Sequence, residues 1–228
     1  MALILSLETS TDNCSVALHR EGVLISLKEW GERGGHASKL PGLVDEVMEE
    51  VEIQAENLQA VAVSEGPGSY TGLRIGVSTA KGLAYALGLP LIGINTLQSL
   101  AIQVSNPEEG SIIISQIDAR RMEVYAQVFD KNGDPLSEIS PEILDNESYG
   151  EFLAEQKVYF IGNAVEKMSA TLSSSNAVFI EGEFSAKWIG PLAYRKFTEN
   201  KFEDVAYFVP NYLKEFQALH SRKNPLLS

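Results

Sequence analysis

Two stretches of the sequence carry residues that are suited to binding a phosphate or a metal ion. Residues 60–76 read as an apolar strand, a glycine-rich turn and a helix that begins at once. Free backbone N–H groups at such a helix start can bind an anion. The second stretch is Glu8, Thr9 and Ser10, an acid and two hydroxyls at the end of a predicted strand. They are candidate ligands of a nucleotide phosphate or its Mg²⁺, and the alternative is that they only form a turn.

The glycine-rich turn departs from the two common phosphate-binding fingerprints. A Walker loop places a lysine after its last glycine, and residues 66–76 contain no lysine. A Rossmann fingerprint would need a glycine where Thr71 stands. Gly72 and Gly76 lie on one face of the predicted helix, a spacing that favours the close approach of another element at a cost of about 1 kcal/mol per glycine. We interpret the turn as structural, with phosphate binding as the alternative.

Histidine and cysteine are too scarce for metal or nucleophile chemistry. The chain has three histidines and one cysteine. His36 opens a predicted helix, and a second metal ligand on the same face would occupy position 40, which is Leu40. We predict no metal site and no Ser–His or Cys–His nucleophile. As the single cysteine, Cys14 cannot form an internal disulfide, which favours a reducing compartment. We expect Cys14 to be a small buried side chain of the core.

A hairpin tip predicted at residues 118–123 supplies the third candidate site. Arg120 and Arg121 are adjacent there and are suited to contact a phosphate or RNA. The alternative is a structural turn in which the two arginines pair with Asp118 or Glu123. The sequence leaves these two interpretations open.

The elements that position these residues occur in the same order in both halves of the chain. Each half begins with consecutive antiparallel strands and continues with alternating helices and strands. This order predicts an α/β fold with two related lobes, residues 1–105 and 106–218, followed by a flexible basic tail at 219–228. The predicted strands are 3–9, 14–20, 23–29, 60–64, 91–94, 112–118, 122–129, 136–143, 158–161 and 177–180, and the main predicted helices are 36–52, 70–87, 147–154 and 186–199.

Composition narrows the classes of function. The 228 residues carry a formal net charge of -13, which opposes RNA binding across a broad face but allows a local basic patch. The first residues lack the basic segment of a signal peptide, and no apolar run approaches the roughly 18 residues of a membrane span. We expect a cytoplasmic protein without a membrane association.

Several of these segments together resemble the bacterial TsaB (YeaZ) family. They are residues 4–10, 66–76, 118–125 and 210–214, and their order and spacing match over nearly the whole chain. The resemblance implies the two-lobe, actin-like ATPase (ASKHA) fold, in which each lobe is a mixed sheet flanked by helices. It also implies a role in forming threonylcarbamoyladenosine next to the anticodon of tRNAs that read codons beginning with A.

The resemblance further implies an accessory subunit rather than an enzyme. The related catalytic subunit TsaD binds its metal through two histidines four apart on the helix after the first hairpin, where this chain has His36 and Leu40. The family dimerises with TsaD and joins the ATPase TsaE, and tRNA is met only within that complex. No cofactor of its own is expected, although ATP or ADP at the partner interface is an option. Glu8 stands where the wider fold often has aspartate.

A partner interface is predicted on the two long helices. Helices 36–52 and 70–87 carry apolar stripes that would form a four-helix bundle with a related chain, or with a second copy when the chain is alone. The alternative is that each stripe faces its own sheet. The rival class of function is an enzyme, either a metallopeptidase of the M22 type or an ASKHA small-molecule kinase. The candidate interface residues are Leu40, Leu43, Val47, Leu73, Gly76, Val77, Ala80 and Ala84.

Overall fold

A computed structural model gives the fold of residues 2–32 and 34–213. The predicted basic tail at 219–228 lies outside the described residues, and so does Lys214, the last residue of the motif at 210–214. In the described part of the chain, no helix is both long and apolar enough to cross a membrane.

The first half of the chain forms a five-stranded mixed sheet in the order β3-β2-β1-β4-β5. β2 is antiparallel to β1 and β3, whereas β4 and β5 extend the sheet from β1 in parallel. Short turns suffice for the antiparallel strands, and the parallel strands need helical crossovers. The strands are β1 (Leu3–Glu8), β2 (Cys14–Arg20), β3 (Val23–Trp30), β4 (Ala60–Gly66) and β5 (Leu91–Asn95).

The second half repeats this plan in a sheet of order β10-β9-β6-β7-β8. Here β7 is antiparallel to β6 and to β8, whereas β9 and β10 extend the sheet from β6 in parallel. The predicted α/β fold with two mixed sheets is confirmed. The strands are β6 (Ile112–Asp118), β7 (Glu123–Phe129), β8 (Ser140–Ile143), β9 (Val158–Gly162) and β10 (Ala177–Glu181).

The two long helices lie close to their predicted positions. α2 ends where Gly88 takes the left-handed conformation, with φ of 64°, which glycine adopts without strain. The helix predicted over 186–199 is divided into a 3-10 helix, Ala186–Trp188, and α6. The α-helices are α1 (His36–Glu50), α2 (Tyr70–Leu87), α3 (Thr96–Ala101), α4 (Gly150–Glu155), α5 (Val165–Thr171) and α6 (Ile189–Thr198).

Helices cover both faces of the first sheet. Leu5 and Leu7 of β1 pack in the same core as α1 and α2, while Ile4, on the opposite face, packs with Ile189 and Leu192 of α6. α6 therefore returns to the first sheet, although it falls in the segment 106–218 predicted as the second lobe. The boundary between residues 105 and 106 stays a prediction.

The packing of α6 depends on a buried histidine. His19 on β2 has no exposed surface, and its Nε2–H donates to the carbonyl of Lys187, just before α6, at 3.2 Å. Nδ1 then accepts from the Ser6 hydroxyl at 3.1 Å. A Cβ on Gly190 would overlap the imidazole, so α6 approaches β2 at a glycine. Burial lowers the pKa of His19 from 6.5 to about 4, despite the hydrogen bond to Lys187.

This arrangement predicts an acid-sensitive fold. The unfolded chain binds a proton at His19 below about pH 6.5, whereas the folded chain does so only near pH 4, so stability is lost as pH falls through this window. We expect His19 to account for about 3 kcal/mol of that loss. Urea unfolding of wild type and His19→Gln at pH 7.5 and pH 4 measures this contribution. Glutamine keeps a hydrogen-bond donor and an acceptor but does not titrate between these pH values. An equal pH dependence of the two proteins would contradict the assignment.

Candidate functional site

The glycine-rich turn places the start of α2 directly on the end of β1. β4 ends at Gly66, and the Ser69 hydroxyl caps α2 by accepting from the Gly72 N–H at 3.3 Å. The Ser69 N–H donates to the carbonyl of Ser10 at 2.6 Å. One of the free N–H groups that made the turn resemble an anion site is therefore used within the chain.

Glycines in α2 and in the turn before it allow the backbone that follows β1 to approach closely. A Cβ on Gly68 would lie 2.5 Å from the Ser10 carbonyl oxygen. A Cβ on Gly72 would overlap the Thr9 carbonyl oxygen, and one on Gly76 would overlap the Thr9 hydroxyl. The expected close approach of another element is confirmed, and that element is the β1–β2 turn of the same chain.

This contact buries the candidate nucleotide ligands. Glu8 and Thr9 have no exposed surface, and Ser10 is 2% exposed. The Glu8 carboxylate accepts from the Ser10 N–H at 2.6 Å and from the Ser64 hydroxyl at 2.9 Å, yet burial raises the pKa of Glu8. A nucleotide would have to displace the start of α2 to reach these three side chains. The structure thus favours their interpretation as turn and core residues, although one oxygen on each side chain has no hydrogen-bond partner among the described residues. The nucleotide assignment stays a prediction.

The accessible part of the same turn lines a cleft between the two sheets. The cavity has a volume of about 700 Å³ and is bounded by residues 11–15 and 29–31 on one side and by Asn163 and residues 181–184 on the other. Its described lining includes four acids and no lysine or arginine, and the carboxylate of Glu183 forms an ion pair with Lys187. The acidic residues are Asp12, Glu29, Glu181 and Glu183.

His36 fixes the turn at this cleft. It is the first residue of α1, and its Nε2–H donates to the carbonyl of Thr11 at 2.9 Å. Leu40, at the position where a second ligand would stand, has no exposed surface and packs in the core. Among residues 2–32 and 34–213, no group of three or more metal-ligating side chains is arranged around one point. Cys14 is buried at the cleft floor, as expected.

The tip of the β6–β7 hairpin presents two exposed arginines. Arg120 and Arg121 have left-handed backbones, with φ of 77° and 52°. Asp118 accepts from the Arg120 N–H at 2.6 Å and forms an ion pair with Lys167 at 3.0 Å. Of the alternative in which the arginines pair with Asp118 or Glu123, the Asp118 pairing is replaced by an ion pair with Lys167.

The predicted interface residues lie in the core of the chain itself. All eight are buried, and six of them pack in one cluster with the inner face of the first sheet: Leu40, Leu43, Val47, Val77, Ala80 and Ala84. Leu73 is 1% exposed, and Gly76 packs on Thr9. This burial agrees with the alternative interpretation, in which the apolar stripe of each helix faces the sheet of the same chain. A partner that docks on α1 and α2 must contact other side chains of these helices.

The exposed side of α2 is joined by a strap formed by residues 203–213. The strap begins where Glu203 pairs with Leu91 of the edge strand, and near its end the Asn211 N–H donates to the Glu65 carbonyl at 2.7 Å. Lys81 of α2 donates to two strap carbonyls, those of Ala206 at 3.1 Å and Phe208 at 2.9 Å. The strap is therefore fixed across the helix.

Aromatic and cationic side chains are concentrated where α2 and the strap meet. The guanidinium of Arg74 lies 4.3 Å from the Tyr70 ring centroid, and its Nε–H donates to the Tyr212 hydroxyl at 3.1 Å. Tyr85 and Tyr207 are 84% and 82% exposed. We call this set, with Lys81 and Val209, the α2–strap surface. Sequence reasoning missed it, although Tyr85 is an aromatic residue off the apolar stripe of its helix.

The arrangement of two like mixed sheets with an interposed cleft defines the class of protein as the actin-like ATPase (ASKHA) fold. A solved structure from Pseudomonas aeruginosa, described as similar to peptidase YEAZ, matches with a TM-score of 0.82 at 24% identity over 94% of this chain and 100% of that one. The activator of 2-hydroxyisocaproyl-CoA dehydratase from Clostridium difficile matches with a TM-score of 0.51 at 10% identity, over 89% and 98% of the two chains.

The sequence comparisons are more specific. A family model described as "TsaD: tRNA N6-adenosine threonylcarbamoyltransferase" matches residues 33–221. The tRNA threonylcarbamoyladenosine biosynthesis protein TsaB of Escherichia coli K12 is 30% identical over 92% of this chain and 94% of the relative. TsaB of Haemophilus influenzae is 29% identical over 92% and 81%. The chain belongs to the TsaB (YeaZ) family of tRNA threonylcarbamoyladenosine biosynthesis proteins.

The contact between α2 and the β1–β2 turn predicts opposite effects for two glycines of one helix. In Gly72→Ala the new methyl overlaps a backbone oxygen, which no rotamer change relieves, so we expect the free energy of unfolding to fall by about 2 kcal/mol or more. A Cβ on Gly82 would have no heavy atom within 4 Å. Gly82→Ala should therefore raise the free energy of unfolding by up to about 1 kcal/mol. Urea unfolding of both variants measures this, and a Gly72→Ala protein as stable as wild type would refute the contact.

Proposed function

We propose that this chain is a non-catalytic subunit of the assembly that transfers the threonylcarbamoyl group to the adenosine next to the anticodon. It binds a TsaD-like catalytic subunit and joins a TsaE-like ATPase. Membership of the TsaB family supports the process, and the match of a TsaD family model supports a catalytic relative as the partner. The chain acts as a scaffold in this proposal.

The observation that carries the partnership is the α2–strap surface. Tyr85 and Tyr207 are the two most exposed large apolar side chains among the described residues, and Val209 of the strap is 66% exposed. Tyrosine and arginine are the residue types that contribute most to binding energy at protein interfaces. Exposed aromatics held on a fixed backbone lose little conformational entropy on binding.

The surface also has a groove that an apolar partner side chain would fill. Its volume is about 250 Å³, and Arg74, Lys81, Phe208, Val209 and Tyr212 contribute to its lining. The two cations form no ion pair with a described carboxylate, because Arg74 donates to a hydroxyl and Lys81 to carbonyls. An acidic group on the partner at the edge of this groove would therefore meet uncompensated positive charge.

The described residues give little support to the alternative functions, a metallopeptidase or a small-molecule kinase. Position 40 is a core leucine, and residues 2–32 and 34–213 contain no cluster of three or more His, Cys, Asp or Glu side chains that could hold a metal ion. The described lining of the cleft has no lysine or arginine to bind the phosphates of a kinase substrate. In this proposal ATP or ADP of the assembly binds where the chain meets its partner, and not in the cleft.

The partnership predicts that a charge on the α2–strap surface prevents association. Tyr85→Glu and Val209→Glu each replace an exposed apolar contact by a carboxylate, and we expect the affinity for the TsaD-like subunit of the same organism to fall about tenfold or more. Titration calorimetry with the two purified proteins measures the effect. Val77→Glu is unsuitable for this purpose because Val77 is 3% exposed and its charge would destabilise the fold.

A matched control is Ile143→Glu, because Ile143 is 78% exposed but lies on β8 of the second sheet. Its affinity for the partner should equal that of wild type, and the unfolding temperature of all three variants should be unchanged. Retained binding by both Tyr85→Glu and Val209→Glu would show that the partner docks elsewhere. Absence of any binding by the wild-type chain would refute the partnership itself.

A further inference from the structure

The hairpin tip at residues 118–123 has a backbone conformation that costs free energy, and the turn itself does not require the arginines that occupy it. Two consecutive left-handed residues cost on the order of 1 kcal/mol each unless they are glycine or asparagine. A purely structural turn would favour those residue types. The tip has Arg120 and Arg121 instead, so the turn geometry leaves the choice of arginine unexplained.

A dedicated network holds this backbone in place. Lys167 of α5 donates to the Asp118 carboxylate at 3.0 Å, to the Arg121 carbonyl at 3.0 Å and to the Glu123 carbonyl at 2.8 Å. The side chain of Asn163 accepts from the Asp118 N–H at 2.8 Å. All three protons of the Lys167 ammonium are thus used to fix the tip, which is rigid before any ligand arrives.

The same network leaves the guanidinium groups available. Asp118 is neutralised by Lys167, and neither Arg120 nor Arg121 forms an ion pair with another residue of the described part of the chain. Both side chains are exposed. On a chain with a net charge of -13, such a pair is a local positive site on an otherwise repulsive protein.

We infer that Arg120 and Arg121 bind backbone phosphates of the tRNA. Guanidinium groups form paired, charge-assisted hydrogen bonds with phosphate oxygens, and two on one fixed turn would bind neighbouring phosphates. Such contacts orient an RNA and do not select its sequence. The inference rests on the proposed function, which supplies tRNA as the substrate of the assembly. The tip belongs to the second sheet, whereas the α2–strap surface lies on the first, so one chain can hold both ligands.

The test uses the full chain assembled with its TsaD-like and TsaE-like partners and an unmodified transcript of a tRNA that reads codons beginning with A. We expect the double variant Arg120→Gln/Arg121→Gln to bind this tRNA about tenfold more weakly. The slope of log affinity against log salt should become less steep by about 1.5, as expected for two lost phosphate contacts. Fluorescence anisotropy at several salt concentrations measures both quantities.

The control variant Arg20→Gln/Arg195→Gln removes the same charge elsewhere and should leave affinity and slope near the wild-type values. Size-exclusion chromatography without RNA reports assembly separately, and failure of the wild-type chain to assemble refutes the proposed function. Weaker tRNA binding by an intact assembly of unchanged unfolding temperature supports the inference. Unchanged affinity and slope would overturn it, as would a loss of assembly without RNA, because the arginines would then contact an acidic protein surface.

Discussion

The approach of α2 to the end of β1 is the contact on which the site region depends. The helix begins so close to Thr9 and Ser10 that only glycine fits at positions 68, 72 and 76. The contact encloses Glu8, whose carboxylate is held by Ser10 and Ser64 in a fully buried position. The glycine-rich turn and the end of β1 thus form part of the core of this chain.

The same contact determines which part of the turn remains accessible. Only the residues after Ser10 reach the cleft, where His36 fixes the Thr11 carbonyl. Their surroundings are acidic, because the facing segment contributes Glu181 and Glu183. The described lining of the cleft therefore contains acids but no lysine or arginine.

The packing of the core determines which side chains of α1 and α2 remain accessible to other molecules. The apolar stripes of α1 and α2 are fully used against the first sheet, so these helices offer partners their outer sides. The strap widens the outer side of α2 and adds Tyr207 and Val209 to Tyr85. The second sheet contributes the arginine tip, which Lys167 holds from α5. The proposed partner surface and the arginine tip thus lie on different sheets of an acidic protein.

The order of elements, the two related α/β lobes and the scarcity of histidine and cysteine could be predicted from the sequence, because period-2 and period-3.6 patterns and residue counts are local properties. It also indicated a close approach at Gly72 and Gly76. Only the tertiary structure decided that the β1–β2 turn fills this space, that α6 packs on the first sheet and that the strap crosses α2. Each of these contacts joins residues far apart in the chain, and an apolar stripe has the same pattern whether it faces its own sheet or a partner.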